Sequence, residues 1–209
     1  MDHSQKLLVS TAFFPPVSYV HALLSANEIW LEAHEHYVKQ SYRNRCYIYG
    51  ANGILRLTAP VDHGKGEHIK VTEVKLSTHH TWKNQIWKSL QTAYRTSPFF
   101  EYYEEDLADT FHADIRTLFE WNFKLLSTCL SLIGIEKNIQ HTTSYIPAWP
   151  EDTIDIRQLH PKSSRGISLS PPANSYHQVF EGKHGFIPNL SILDLMFNLG
   201  PRTINYLMP

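Results

Sequence analysis

The 209-residue sequence has only two cysteines, Cys46 and Cys129, and neither lies in a C-x-x-C motif. A disulfide framework or a cysteine-based metal site needs more thiols, so we interpret both as reduced, structural side chains of a cytoplasmic protein. The sequence also has no run of 18 apolar residues, and its first ten residues lack the apolar region of a secretory signal peptide. We therefore predict a soluble chain with no membrane span.

An excess of charge of either sign is also absent. The chain has 19 basic and 20 acidic residues and a formal net charge of -1. This balance gives no electrostatic reason to expect nucleic acid as a partner. The motifs G-x-G-x-x-G, G-x-x-x-x-G-K-[ST], G-x-S-x-G and H-E-x-x-H are missing, which argues against dinucleotide, Walker-type, α/β-hydrolase and zincin chemistry.

Apolar residues make up 42% of the chain, aromatic residues make up 12%, and there are 13 histidines. These are the values of a globular protein, and the length suits one domain over residues 1–209. The aromatic residues can form a large core, or they can line a pocket for a sugar or a nucleobase.

The first half of the chain is predicted to be rich in strands. Apolar patterning predicts a strand at 7–9, a helix over 18–27 and a strand over 28–33, which is a βαβ-like start. Asn52-Gly53 between two apolar runs predicts a β-hairpin, because both central positions of such a turn favour positive φ.

The second half is predicted to be helical. Helical spacing of apolar residues predicts helices over 82–94 and 118–133, the second capped by Asp114. Alternation over 69–76 predicts a further strand. The segment 146–175 contains five prolines and is predicted to be a long loop, which in a compact chain is either functional or disordered. The fold class is therefore mixed α/β in one domain.

One cluster of reactive side chains follows the second strand. Glu32, His34 and His36 alternate along the chain, so on an extended backbone they share one face. Two imidazoles and a carboxylate can bind zinc or another divalent cation, which would suit a metal-dependent hydrolase. The same residues also fit an exposed polar strand end that binds no metal.

A second cluster is Arg43-Asn44-Arg45. Two guanidinium groups can hold a phosphate, and the amide between them can orient it. The alternative is a solvated basic loop before a strand.

A third set combines candidate catalytic and stacking side chains. His177 is a candidate general base, and Gln178 is a candidate for hydrogen bonding to a substrate. The same stretch also fits an edge strand. Five aromatic residues could form stacking walls: Tyr19, Tyr37, Trp82, Tyr94 and Tyr176. For Trp82 and Tyr94, core packing on a helix is the favoured interpretation because of their spacing.

Several motifs occur together in a fixed order. They are Phe13-Phe14-Pro15-Pro16, Arg43-Asn44-Arg45, Leu57-Thr58-Ala59-Pro60, Tyr176-His177-Gln178-Val179-Phe180 and Phe186-Ile187-Pro188-Asn189-Leu190. Together they resemble the WbqC-like family over about residues 8–202. The resemblance implies a role in surface polysaccharide biosynthesis of the O-antigen type, in a bacterial cytoplasm.

The activity that this resemblance implies is transfer to or from an activated or amino sugar, such as acyl or aminoacyl transfer with a nucleotide sugar as the small-molecule substrate. A non-catalytic scaffold of a polysaccharide-assembly complex is the alternative, and the metal-dependent hydrolase is a second one. No motif identifies a cofactor or an oligomeric state.

Overall fold

The computed structural model describes residues 5–62, 68–79 and 81–208. In these residues the strands are β1 (Lys6–Ser10), β2 (Glu28–Glu32), β3 (Arg45–Gly50), β4 (Gly53–Thr58), β5 (Val61–Asp62), β6 (Lys75–Leu76), β7 (Ile139–His141) and β8 (Thr153–Asp155). The helices are α1 (Val17–Ser25), α2 (Thr81–Tyr94), α3 (Phe100–His112), α4 (Leu118–Leu132), α5 (Glu181–His184), α6 (Ile192–Leu199) and α7 (Thr203–Leu207).

A parallel sheet with the strand order β7-β2-β1-β8 organises the domain. Leu7, Leu8 and Val9 of β1 are all buried, as expected for a central parallel strand that is covered on both faces. The chain passes from β1 outward to β2 and β7, and it then returns to the other side of β1 as β8. The winding direction therefore reverses between β1 and β8.

The predicted mixed α/β fold is confirmed. β1, α1 and β2 form the βαβ start, and helices dominate after residue 80. Pro16 precedes α1 in an extended conformation (φ -67°, ψ 157°), and Val17, Val20 and Leu23 of the helix are buried. No helix in the described ranges combines the length and apolar character that crossing a membrane requires.

The predicted hairpin is formed by β3 and β4, but its turn lies one residue earlier than expected. Gly50 pairs with Gly53, so the two loop residues are Ala51 and Asn52. The positive φ falls on Gly53 (95°) and not on Asn52. A positive φ at this position costs glycine little, so the Asn-Gly signal identified the hairpin but not its turn type.

The predicted strand over 69–76 is wrong for most of its length. A 3₁₀ turn (Val71–Glu73) occupies its centre, and β6 is the only part of the segment that forms a strand. Val71 and Val74 are both buried. Their spacing of three residues suits a 3₁₀ turn and breaks the two-residue period of a strand.

Side-chain caps begin two helices, and the first of them differs from expectation. Thr117, and not Asp114, caps α4: its hydroxyl accepts a hydrogen bond from the Glu120 amide (3.3 Å) and donates to the Glu120 carboxylate (2.7 Å). Ser191 caps α6 through the Leu193 amide (3.3 Å), but the Asp194 carboxylate turns into the core instead of closing a capping box.

The segment 146–175 contains β8, which the prolines on either side concealed. This strand has only three residues and shows no period in its sequence, and its pairing with β1 defines it. Cys46 and Cys129 are free and buried, and burial raises the pKa of the Cys129 thiol to about 12.

Candidate functional site

A crevice of about 620 Å³ lies beyond the carboxyl ends of the parallel strands. One side is formed by the segment after β2, and the other by residues 145–165, which include the end of β8. Ligands of open α/β sheets bind outside the carboxyl ends of the strands, where the winding direction reverses. The crevice has this position, next to the ends of β1 and β8.

A buried ion pair forms the floor of the crevice. Arg43 Nε donates to Glu35 Oε1 at 2.9 Å, and Arg43 Nη2 donates to Glu35 Oε2 and to the Ser10 hydroxyl, the latter at 2.8 Å. Glu35 and Arg43 are 6% and 5% exposed, so each charge depends on the other for compensation. Arg43 Nη1 forms no hydrogen bond with the described residues, and Arg43 belongs to the lining of the crevice.

Arg157 supports one wall. It donates to Asp155 Oδ2 at 2.7 Å, to Glu32 Oε2 at 3.1 Å and to two backbone carbonyls of the proline-rich segment. Its guanidinium carbon lies 5.1 Å from the ring centroid of Tyr145, which is 52% exposed. Arg157 therefore fixes the segment to β2 and β8 and supports one side of an exposed aromatic ring.

His34 has one ring nitrogen in use. Its Nε2 lies 3.1 Å from the carbonyl oxygen of Thr142. A carbonyl can only accept, so Nε2 carries the proton and Nδ1 of the neutral ring has a free lone pair. Nδ1 forms no hydrogen bond with the described residues. His34 lines the crevice.

His160 has the opposite tautomer. The amide of Lys162 donates to His160 Nδ1 at 3.0 Å, so Nδ1 is an acceptor and the neutral ring carries its proton on Nε2. A longer contact of 3.2 Å from Nδ1 to the Lys162 carbonyl would require the other tautomer, and we assign the ring from the shorter one. Burial, with smaller contributions from Arg165, Arg43 and Arg45, lowers the His160 pKa below its usual 6.5, although the contact with the Lys162 backbone opposes the shift.

Arg165 is the exposed cation at the rim. Its Nη1 donates to the Gln40 side chain at 3.1 Å, and no carboxylate of the described residues lies within 4.0 Å of it. Arg43 and Arg157 are neutralised by their carboxylate partners. Arg165 is therefore the crevice arginine that has no carboxylate partner among the described residues.

The structure separates the predicted Arg43-Asn44-Arg45 cluster. Arg43 lines the crevice, whereas the Asn44 side chain donates to the Ala59 carbonyl at 3.0 Å and joins the start of β3 to the end of β4. Arg45 is half-buried, its Nε has no hydrogen-bond partner, and it does not line the crevice. One guanidinium of the predicted pair therefore reaches the crevice.

The predicted metal ligands do not converge. Both Glu32 oxygens are occupied: Oε1 accepts from the Thr142 hydroxyl and from the His34 amide, and Oε2 accepts from Arg157. His36 is exposed and packs against His68. Among residues 5–62, 68–79 and 81–208, no three His, Cys, Asp or Glu side chains are arranged to hold a metal ion.

His177 and Gln178 lie outside the crevice lining. The His177 side chain is 82% exposed and lies 3.3 Å from Glu181. Gln178 is fully buried, and its amide nitrogen donates to Asp194 Oδ2 at 2.8 Å and to the Ile187 carbonyl at 3.0 Å. Gln178 therefore joins its own segment and Ile187 to Asp194 of α6.

Tyr94 and Tyr176 belong to the same buried cluster as Gln178. The Tyr94 hydroxyl donates to Asp194 Oδ1 at 2.8 Å, and the Tyr176 hydroxyl donates to Asp194 Oδ2 at 2.6 Å. Burial raises the Asp194 pKa above its ordinary value, although these hydrogen bonds oppose the shift. Neither tyrosine is available as a stacking wall in this arrangement.

The remaining predicted aromatic residues are also dispersed. Tyr19 is 2% exposed and donates to the Ser10 carbonyl at 2.9 Å, so it packs beneath the end of β1. Tyr37 is half-buried, and burial raises its pKa to about 12. Trp82 lines a different cavity, next to α3.

Sequence reasoning missed most of the crevice residues. Glu35 lies between His34 and His36 of the first predicted cluster, but its partner Arg43 was predicted to bind a phosphate. The others lie in the proline-rich segment, whose sequence has no period that indicates which side chains face inward: Tyr145, Asp155, Arg157, His160 and Arg165. The length of that segment was the one available signal.

The fold and the crevice define a class: a mixed α/β domain with a polar site at the reversal point of a parallel sheet. The chain belongs to the WbqC-like protein family, whose model matches residues 11–172. A protein of Mycobacterium tuberculosis (strain ATCC 25618 / H37Rv), named Uncharacterized protein Rv1507c, is 24% identical over 225 aligned positions, covering 96% of each chain. No solved structure matches the chain. The matched range includes every residue of the crevice named above except Ser10.

Proposed function

We propose that this protein is a transferase acting on an activated or amino sugar in surface polysaccharide biosynthesis, and that the crevice binds a nucleotide sugar. The observation that carries the proposal is that Arg165, Arg43, His34 and His160 line one crevice at the reversal point of the sheet. Membership of the WbqC-like family supplies the context of the proposal.

Arg165 would hold the phosphates. It is exposed at the rim and has no carboxylate partner among the described residues, so binding a phosphate breaks no existing ion pair. Guanidinium groups form bidentate hydrogen bonds with phosphate oxygens. Arg43 Nη1, on the floor of the crevice, supplies a second hydrogen-bond donor. The positive charge of Arg43 is already balanced by Glu35.

Tyr145 would stack against the nucleobase. Tyr145 is 52% exposed, and Arg157 supports its ring from one side. Stacking of a base on an aromatic side chain contributes roughly 1–3 kcal/mol. This ring replaces the stacking walls that the sequence suggested, because those aromatic side chains lie in the core or in another cavity.

His34 and His160 would divide the chemistry. In acyl or aminoacyl transfer, the sugar amine or hydroxyl forms a bond to the acyl carbon, and the bond from that carbon to its carrier breaks. His34 Nδ1 takes the proton of the nucleophile and returns it to the departing carrier. His160 Nε2–H donates to the oxygen that gains negative charge.

The test is a thermal-shift series on the purified protein with nucleotide sugars, free nucleoside diphosphates, acyl thioesters and inorganic phosphate. A ligand that binds only the folded state raises the melting temperature. We expect a nucleotide sugar to do so, and we expect Arg165→Gln to reduce the shift strongly.

Arg56→Gln is the matched control, because Arg56 is an exposed arginine on β4 outside the crevice lining. Equal shifts in Arg165→Gln and Arg56→Gln would remove Arg165 from the site. If no nucleotide sugar raises the melting temperature of the native protein, the transferase proposal is wrong. A non-catalytic binding protein then becomes the better account.

A further inference from the structure

A separate cavity of about 580 Å³ lies between β6, the start of α2 and the end of α3. Trp82 and Lys83 from α2 form one wall, and His112 and the residues that follow it form the opposite wall. None of its lining residues is shared with the crevice. The transferase proposal gives this cavity no role.

Lys83 is the central feature of the cavity. Its ammonium donates to the Ala113 carbonyl at 2.8 Å and lies 5.9 Å from the ring centroid of Trp82 and 5.6 Å from that of Trp121. An ammonium has three protons to donate, and the described residues accept only one of them. No described carboxylate lies within 4.0 Å of Lys83.

The surroundings leave this charge partly withdrawn from water. Burial lowers the Lys83 pKa below 10.5, and Asp114 only partly opposes the shift. Burial and the neighbouring Lys83 lower the His112 pKa below 6.5, so its imidazole is neutral at pH 7. A cation that is partly desolvated without a counterion is stabilised by any anion that can reach it.

The rim adds further charge. Lys75 and Arg116 are exposed, and neither forms an ion pair with a described residue. The opposing carboxylates at the rim are Asp62 and Asp114. Together with Lys83, the cavity has three cations and two carboxylates, which favours an anion over a cation.

We propose that this cavity binds a small ligand through an anionic headgroup, a carboxylate or a phosphate monoester, which the Lys83 ammonium contacts directly while Trp82 packs against the body of the ligand. An aromatic ring favours a flat or apolar body over a fully hydrated one. The site is independent of the crevice, and its ligand need not be a substrate of the transferase reaction.

The experiment is calorimetric titration of the full-length protein with benzoate, phenyl phosphate and inorganic phosphate. We expect benzoate or phenyl phosphate to bind more tightly than inorganic phosphate, and the tighter of the two identifies the headgroup. Lys83→Met should weaken that probe about tenfold or more, because it removes a charged hydrogen-bond donor. Lys88→Met is the matched control, since Lys88 is exposed on the same helix outside this cavity.

Arg116→Gln keeps the test decisive even where Lys83→Met fails to fold, because Arg116 is exposed and forms no ion pair with a described residue. We expect this variant to fold and to bind the probe several-fold more weakly. The proposal is overturned by native protein that binds neither organic probe at millimolar concentration. The proposal is also overturned if Lys83→Met folds and binds the probe as tightly as the native protein does. If Lys83→Met does not fold, unchanged affinity of Arg116→Gln for the probe overturns it.

Discussion

Arg43 and Glu35, eight residues apart in the chain, form a buried ion pair directly beneath the crevice. The guanidinium also reaches Ser10 at the end of β1, so the pair joins the segment after β2 to the neighbouring strand. A residue that sequence reasoning assigned to a phosphate therefore has a structural partner of its own. The pair holds the floor in place, and Nη1 of Arg43 forms no hydrogen bond with the described residues.

Removing one member of this pair should destabilise the fold. Glu35→Gln and Arg43→Gln each leave the other charge buried without compensation, so each should lower the free energy of unfolding by about 3–5 kcal/mol. The double variant should lose far less than the sum of the two. Urea denaturation of all four proteins measures this coupling.

The control is the exposed pair of Arg95 and Glu104, which are 3.6 Å apart. Arg95→Gln should cost no more than about 1 kcal/mol, because solvent screens that pair. Additive losses in the Glu35 and Arg43 variants would mean that the two side chains do not act as a unit.

Asp194 should make stability fall as pH rises. Burial raises its pKa in the folded state, so the folded protein binds this proton more tightly than the unfolded chain does. The resulting stabilisation is fully present below the unfolded pKa of about 4 and is lost as pH rises through the folded pKa. Asp194→Asn cannot titrate and should lack this dependence.

Denaturation of native protein and Asp194→Asn across that pH window provides the measurement. The stability of the native protein relative to the variant should decrease with pH. A relative stability that increases with pH would show that the hydrogen bonds from Tyr94, Tyr176 and Gln178 outweigh burial and lower the Asp194 pKa.

The parts of the fold that sequence predicted are those with a strong local signal. The apolar run at residues 7–9 and the helical spacing of α2 indicated their elements directly. The capping role of Thr117 was missed because Asp114, an equally good capping residue, stands three positions earlier. β8 was missed because long-range pairing with β1, and not local pattern, makes it a strand.

The candidate site was less predictable than the fold, for a related reason. Its walls come from residues 34–43 and 145–165, which are more than a hundred positions apart. Sequence reasoning recognised polar residues in the first segment, including His34 and Arg43. Nothing in the sequence of the second segment distinguishes the inward-facing Arg157 and His160 from residues that face water.

His160 should titrate below its ordinary pKa. Burial and the three nearby arginines disfavour the imidazolium, so its NMR titration midpoint should lie below 6.5. Arg165→Gln removes one of these positive charges and should raise the midpoint. The His160 resonance is assigned by its loss in His160→Gln. A midpoint above 6.5, or one that Arg165→Gln lowers, would contradict the electrostatics of the crevice described here.

His34→Gln should separate binding from transfer. The glutamine amide can still donate to the Thr142 carbonyl, but it cannot accept a proton at neutral pH. Nucleotide-sugar affinity should therefore stay within about twofold, while the transfer rate falls by about 10²–10⁴. Single-turnover assays beside equilibrium titrations measure the two effects. His177→Gln is the control and should change neither, because His177 is exposed outside the crevice.

The most direct test is a crystal structure with the nucleotide sugar that raises the melting temperature most. The account predicts density in the crevice, with the base on Tyr145, the phosphates within hydrogen-bond distance of Arg165, and the sugar between His34 and His160. A nucleotide sugar bound elsewhere, with the crevice left to solvent, would contradict the assignment of this site.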